Sequence, residues 1–251
     1  RAIDLDPTIG MAYAERGLVY RRYYGQQDEA RIAYKRAVEL SPSDAEILIE
    51  YARFLAYNEE YAEAILFGKR AIAIDPEDFA HHDRLGIVYL TAGDSPAAAG
   101  QFRLGININP AAGSGYMLLA TAEAANGNTA GARDNLNRAL QIWQPTPVWG
   151  KVSMAYLYGR LGDPDQAARL VAQLDDSIFD PLDPDRAFAL LGTGDREGAL
   201  REWTDLVNSY LEEGLPADPG PINEFKVNWS RDPVLDQPEF VEVRSRLGFR
   251  E

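Results

Sequence analysis

The chain has 251 residues, 46% hydrophobic and 25% charged, which suits one large folded region or two small ones and is unlike a disordered chain. Thirty-nine acids against 25 Lys and Arg give a formal charge of −14, which argues against nucleic acid or an anionic membrane surface as the main partner. With no Cys, two His and no apolar run near the ~20 residues of a membrane span, disulfides, thiolate zinc sites, a cysteine nucleophile and a spanning helix are excluded, and histidine chemistry has little material.

Proline sets a period. Pro7, Pro42, Pro76, Pro110 and Pro145 stand 35, 34, 34 and 35 residues apart. Residues 1–7 read as the end of a helix from an earlier repeat, Ala2 matching Ala37 and Ala71, and the chain starts at Arg1 rather than Met; the pattern predicts further chain before it. After Pro7, apolar residues recur at helical spacing (Ile9, Tyr13, Leu18, Tyr20), and they do so again in Ala30, Tyr34, Ala37 and Val38. Gly25 lies between the two runs. Gly93, Gly127, Gly162 and Gly194 hold its place later, and Glu59 replaces it in the second period. Five residues further on runs an alanine ladder: Ala30, Ala64, Ala98, Ala132, Ala167 and Ala199. Each period therefore reads as two antiparallel helices, A and B, joined by a glycine turn. Asp94, Asn128, Asp163 and Asp195 are placed to cap the helices that follow, with Pro96 and Pro164 in first turns.

Ten residues after each proline stands a small residue, Gly17, Ala52, Gly86, Ala120 or Ala155, expected to face the alanine ladder so that helices approach to about 8 Å. Tyr20, Leu55, Tyr89 and Tyr158 on helices A, and Tyr34, Phe102, Leu136, Val171 and Trp203 on helices B, supply the larger knobs. One hairpin cannot bury its apolar face alone, so neighbours must stack. The predicted fold is all-α, an α-α superhelix (solenoid) of about six helical hairpins. They cover 1–213, as 8–41, 42–75, 76–109, 110–144, 145–176 and 177–213, the last with a shortened helix A. From about Leu215 the composition shifts to proline and glycine. Residues 214–251 read as a loop and a capping helix, with Trp229, Phe240 and Leu247 covering the open end of the stack.

The 34-residue beat carrying Gly17, Tyr20, Ala30, Tyr34, Ala37 and Pro42, and again Gly86, Tyr89, Ala98, Phe102 and Pro110, resembles the tetratricopeptide repeat. The second period departs from it at Gly68 and the fourth at Glu123. The ending with Asp232, Pro233, Leu235, Pro238, Phe240, Arg246, Leu247 and Gly248 is similar to the C-termini of bacterial multidomain signalling proteins. Among these are class III adenylate/guanylate cyclases, winged-helix transcriptional activators and Ser/Thr kinases. The resemblance implies a non-catalytic interaction or regulatory region of a larger bacterial, cytoplasmic signalling protein, with a cyclase or other catalytic domain upstream.

It also implies a concave groove lined by helices A that takes an extended or helical peptide. Groove positions four, seven and eleven residues after each proline hold Met11, Ala14, Leu18, Glu46, Ile49, Arg53, Ala80, Asp83, Ile87, Ser114, Met117, Thr121, Trp149, Val152 and Tyr156. The residues singled out as ligand contacts are Leu18, Arg21, Ile49, Arg53, Tyr57, Asp83, Ile87, Met117, Thr121, Trp149, Tyr156 and Arg160. The carboxylate clamp of chaperone-binding repeats needs Lys and Asn where Ala14 and Leu18 stand, so chaperone C-termini do not fit. The expected partner is a protein or peptide, or the upstream domain of the same chain; a homodimerisation module of a regulator or kinase is the alternative. Nucleic acid and a membrane contact of this segment are not expected.

No constellation argues for catalysis, a cofactor or a metal. His81 and His82 point about 100° apart on a helix and read as packed, hydrogen-bonded side chains. Asp180, Asp183 and Asp185 lack the glycine and glutamate of a calcium loop and read as turn and capping residues. Gly113-Ser114-Gly115 lacks the lysine of a phosphate loop and reads as a helix start, and the Asn228 sequon has meaning only in a secreted eukaryotic protein.

Overall fold

A computed structural model describes residues 2–23, 26–174 and 185–212, with Pro238 and Val241. The expected cap residues Trp229, Phe240 and Leu247, the Asn228 sequon, and Asp180 and Asp183 lie outside the described residues. All regular structure among the described residues is α-helical. The chain divides into two compact units at Asn109/Pro110.

In the first unit a short α1 (Ala2–Leu5) precedes three hairpins: α2 (Gly10–Tyr23) with α3 (Gln27–Leu40), α4 (Ala45–Tyr57) with α5 (Tyr61–Ile74), and α6 (Phe79–Thr91) with α7 (Ser95–Ile108). The second unit contains α8 (Gly113–Ala125) with α9 (Thr129–Ile142), α10 (Val148–Arg160) with α11 (Pro164–Val171), and α12 (Asp185–Thr193) with α13 (Arg196–Glu212). Within each unit the A helices also touch one another, α2 against α4 and α4 against α6, α8 against α10 and α10 against α12.

Local chemistry accounts for the helix starts. Asp94, Asn128, Asp163 and Asp195 accept from the N–H groups of Ala97, Gly131, Gln166 and Gly198 at 3.0, 3.1, 3.1 and 2.8 Å. Asp44 and Asp78 do the same for α4 and α6. Each such cap is worth about 1 kcal/mol. Gly93, Gly127, Gly162 and Gly194 have φ of 83°, 76°, 77° and 87°, the left-handed conformation that closes each hairpin. Glu59 is forced into the same conformation, with φ 62°. A side chain there is strained by about 1–2 kcal/mol, offset partly by the lower backbone freedom of a non-glycine residue when unfolded. Glu59→Gly is therefore expected to stabilise the first unit by about 0.5–1 kcal/mol, checked by urea unfolding; a loss of stability would contradict the strain argument.

All six ladder alanines have 0% exposure. A Cβ on Gly17 would lie 2.8 Å from the Tyr34 ring, and one on Gly86 would lie 2.3 Å from the Phe102 ring. At these two positions the small residue is a seat for the aromatic of helix B. Tyr34 continues into a ring cluster with Phe54 at 5.0 Å and Tyr51 at 6.0 Å, and Tyr51 meets Phe67 at 4.8 Å. Fully burying each such ring stabilises by about 1.5–3 kcal/mol. In the second unit Met117, Leu136, Met154, Leu157 and Leu170 form the core, and Phe188 joins Tyr156 to Trp203. Trp143 is wedged between Gly113 and Gly150, where an added Cβ would sit 2.6 and 2.8 Å from its ring. An ion pair recurs between stacked hairpins: Arg31 of α3 forks onto Glu60, and Arg133 of α9 reaches Asp163 at 3.0 Å.

Candidate functional site

The first unit holds a cavity of about 250 Å³ lined by Met11, Ala14, Glu15, Leu18 and Arg21 of α2, Tyr34 of α3, Glu46, Glu50 and Arg53 of α4, and Arg84 of α6. Three consecutive A helices thus present one wall each. The volume lies just below the range of small-molecule sites and suits one or two side chains of a partner.

Its polar groups are arranged as a network. Arg53 donates to Glu50 at 2.9 Å. Arg84 donates to both oxygens of Glu46 at 2.7 and 2.6 Å, and its Nε lies 3.6 Å from Glu50. His81 Nε2 lies 3.3 Å from Glu46. Burial alone would raise the Glu50 carboxyl, but Arg53 and Arg84 outweigh it and hold the group below the ordinary range. Arg21 is buried with its guanidinium 4.2 Å above the Tyr57 ring, a cation–π contact that fixes its direction. Tyr34 is 1% exposed, and its hydroxyl has no hydrogen-bond partner; burial pushes its ionisation well above the usual phenol value.

The candidate residues fall into several environments. Leu18, Arg21 and Arg53 line the cavity, and Tyr57 supports it from beneath Arg21. Ile49 is fully buried beside the Gly68 position of α5. Asp83 turns its carboxylate toward Gly105 of α7, where an added Cβ would lie 2.9 Å from Oδ1. Ile87 is half-buried, its carbonyl accepting from Thr91. In the second unit Met117 belongs to the core, and Thr121 bonds back to its carbonyl at 3.1 Å. Trp149 is 46% exposed with its ring edge-on to Trp143 at 4.9 Å. Tyr156 is buried against Phe188, and Arg160 is exposed.

Glu15, Glu50 and Arg84 were not among the groove candidates. Each stands eight residues after its proline, so the signal was present in the period. Four residues along a helix turn only about 40°, which leaves position eight on the same stripe as position four. Tyr34 looked like a core knob only, because its ring is one.

Asp75, Asp78 and His81 place one potential ligand atom each within 4.8 Å of one another. Asp78 also caps Ala80, and His81 bonds Glu46. His82 is held by Gln101 and the Pro76 carbonyl at 2.9 and 3.1 Å. Both histidines are buried and hydrogen-bonded.

A family model, the tetratricopeptide repeat, matches residues 20–79 and 84–147. Those two stretches carry tetratricopeptide repeats. The matched stretches take in most of α3 to α9, including Tyr34, Glu46, Glu50, Arg53 and Arg84 of the cavity. Among solved structures, the chain is 21% identical to PilW, a widely conserved type IV pilus biogenesis factor, with a TM-score of 0.59 over 69% of this chain and 80% of that one. Pseudomonas aeruginosa pilF is 16% identical, with a TM-score of 0.56 over 98% and 99% of the two chains. A thermophilic tetratricopeptide-repeat protein of Thermus thermophilus is 20% identical, with a TM-score of 0.58 over 79% and 99%. At these identities the likeness establishes the α-α solenoid fold class. No curated protein matches the chain. Tetratricopeptide repeats serve as protein–protein interaction modules rather than enzymes, and this region is of that non-catalytic kind. No helix among the described residues is long and apolar enough to cross a membrane.

Proposed function

We propose that this chain is the interaction and regulatory region of a larger bacterial, cytoplasmic signalling protein, and that its first unit binds a segment of a partner protein, or of an upstream domain of the same protein, across α2, α4 and α6. The observation that supports this most is the cavity itself. Three successive helices contribute charged groups and apolar side chains to one small opening, as recognition of a side-chain sequence requires. Arg53 and Leu18 are the assigned contacts with the greatest consequence, because they lie at the same place in neighbouring repeats.

A phage-displayed library of 12-residue peptides panned on the whole chain tests the reading. Enriched peptides are expected to bind at least tenfold more weakly to Leu18→Asp and to Arg53→Glu, with helical content unchanged by circular dichroism. No enrichment, or enriched peptides indifferent to both substitutions, would overturn it. Exposed Ile32 and Leu66, 66% and 57% accessible and 34 residues apart on α3 and α5, favour a second reading as a self-association surface. Light scattering separates the two, since a monomer at all concentrations removes the second.

A further inference from the structure

Helices α3 and α5 carry the same three-residue pattern. Glu29, Ile32 and Lys35 stand 34 residues before Glu63, Leu66 and Lys69, and all six residues are exposed. The pattern stops there, because the next two repeats hold Ala97, Gly100 and Arg103, then Gly131, Asp134 and Asn137. Lys35 and Lys69 are two of only four lysines in the chain, so their meeting at one repeat position is not a product of composition. Glu29, Lys35, Glu63 and Lys69 enter no ion pair among the described residues, whereas Arg36 is paired with Glu39 and Arg70 donates to the Pro42 carbonyl. That last bond, 3.2 Å long and just past the end of α3, has a counterpart at the other end, where Arg31 of α3 donates to Glu60 before α5. The two helices therefore lie side by side and run the same way. Their stripes form one patch with acids along one edge, Ile32 and Leu66 in the middle and lysines along the other edge. Single exposed aliphatic residues are ordinary on a surface, but two adjoining ones inside matched charged edges suit a partner.

We propose that this patch pairs with the same patch of a second copy of the chain, about a two-fold axis along the line joining Ile32 to Leu66. The proposal rests on the self-association reading above and deepens it by naming the surface and its arrangement. Such an axis reverses α3 over α3 of the second copy and α5 over its α5. Ile32 then meets Ile32 and Leu66 meets Leu66, while Glu29 faces Lys35 and Glu63 faces Lys69 of the second copy, each pair occurring twice, as a closed two-fold contact requires. A two-fold axis along the helices would instead lay α3 on α5 in parallel, acid over acid and lysine over lysine, so the charges select the first arrangement. Exposed ion pairs add little affinity, and their part here is to set the register. Four aliphatic side chains with a charged rim make an interface at or below the roughly 1,200 Å² of weak assemblies, so the dimer is reversible, with a dissociation constant on the order of 100 μM. The formal charge of −14 on each copy opposes approach, and moderate salt screens that repulsion.

The test is sedimentation velocity of the whole chain from about 5 μM to about 1 mM in roughly 0.15 M salt. The parent is expected to pass from monomer to dimer across this range. Ile32→Gln combined with Leu66→Gln should weaken the dimer at least tenfold, with helical content and melting temperature unchanged because both residues are exposed. Two charge variants read the arrangement. Lys35→Glu with Lys69→Glu, and Glu29→Lys with Glu63→Lys, should each weaken self-association at least tenfold, and an equal mixture of the two should associate as well as the parent. The second variant takes the formal charge from −14 to −10, so an effect of net charge alone would strengthen its association where the local pairing predicts a loss. A dimer indifferent to Ile32→Gln with Leu66→Gln overturns this face and leaves self-association through another surface. A dimer that needs Ile32 and Leu66, yet survives either charge variant, overturns the arrangement. A monomer at every concentration overturns both the patch and the self-association reading and leaves the face to a different protein, while the groove reading is decided separately by the peptide selection.

Discussion

Gly159→Ala is expected to destabilise the second unit by about 2 kcal/mol or more, against a background in which most glycine-to-alanine changes in helices are favourable. A Cβ built on Gly159 would lie 2.2 Å from the carbonyl oxygen of Gly192, and one on Gly192 would lie 2.4 Å from the carbonyl oxygen of Ala155. Helices α10 and α12 therefore meet backbone to backbone, and no side chain can rotate away. Overpacking of this kind costs about 1–3 kcal/mol, occasionally more, and the helix propensity of alanine returns up to about 1 kcal/mol. The rigid obstacle places Gly159→Ala at the upper end, a fall in the unfolding midpoint of roughly 10 °C for a unit of this size. Gly100 supplies the control. It lies inside α7 with nothing within 4 Å of an added Cβ, so Gly100→Ala should gain about 0.5–1 kcal/mol. Differential scanning calorimetry of both variants checks the pair; a Gly159→Ala variant as stable as the parent would mean that α10 and α12 separate at little cost.

The contrast between these glycines shows where sequence reading succeeds. Period, hairpin turns and caps depend on single residues acting locally, and each leaves a mark in one dimension. Gly93 and Gly127 mark left-handed turns, Asp94 and Asn128 mark helix starts, and the full burial of Ala30 to Ala199 follows from their spacing. Glu59 is the informative exception. It breaks the glycine ladder in the sequence, yet the backbone keeps the ladder's conformation, because the hairpins on either side impose it. Stacking of helices is a property of the period, and one residue does not overturn it.

The site was less legible, for a physical reason. Which face of a helix meets its neighbour depends on crossing angle and on what the neighbour carries, and neither is written locally. Met11, Leu18, Glu46 and Arg53 follow from counting along one helix, as Arg84 does at position eight, but the bond from Arg84 to Glu46 of the preceding repeat does not. Asp83 satisfies the same counting rule as Ile49 and Leu18, yet it points to α7, where Gly105 leaves room for it. Gly105 stands where Ala37 and Ala71 stand in the earlier repeats, and the room its missing methyl group leaves for Asp83 depends on the facing helix, which spacing does not give.

Asp83 has the largest consequence for pH. It is 8% exposed, its Oδ1 has no hydrogen-bond partner, and burial pushes its ionisation up to about 7. His82 lowers it and Asp78 raises it by smaller amounts. An unfolded aspartate titrates near 3.9. Between about pH 4 and pH 7 the folded chain therefore holds a proton that the unfolded chain has released. The stability from this group is complete below about pH 4 and is lost as the pH rises through about 7. With each pH unit worth about 1.4 kcal/mol, the full difference is on the order of 4 kcal/mol. Asp83→Asn keeps the size and removes the charge. Its stability relative to the parent is expected to grow steadily from pH 4 to pH 7 and to level off near pH 8. Glu50 works in the opposite direction, since its lowered ionisation supports the fold above its unfolded value near 4.3 and fails below it. Comparing parent with Asp83→Asn at each pH cancels Glu50 and isolates Asp83. Urea unfolding at pH 5, 6, 7 and 8 makes the measurement, and parallel stability curves for the two proteins would show that Asp83 is charged in the folded state at neutral pH.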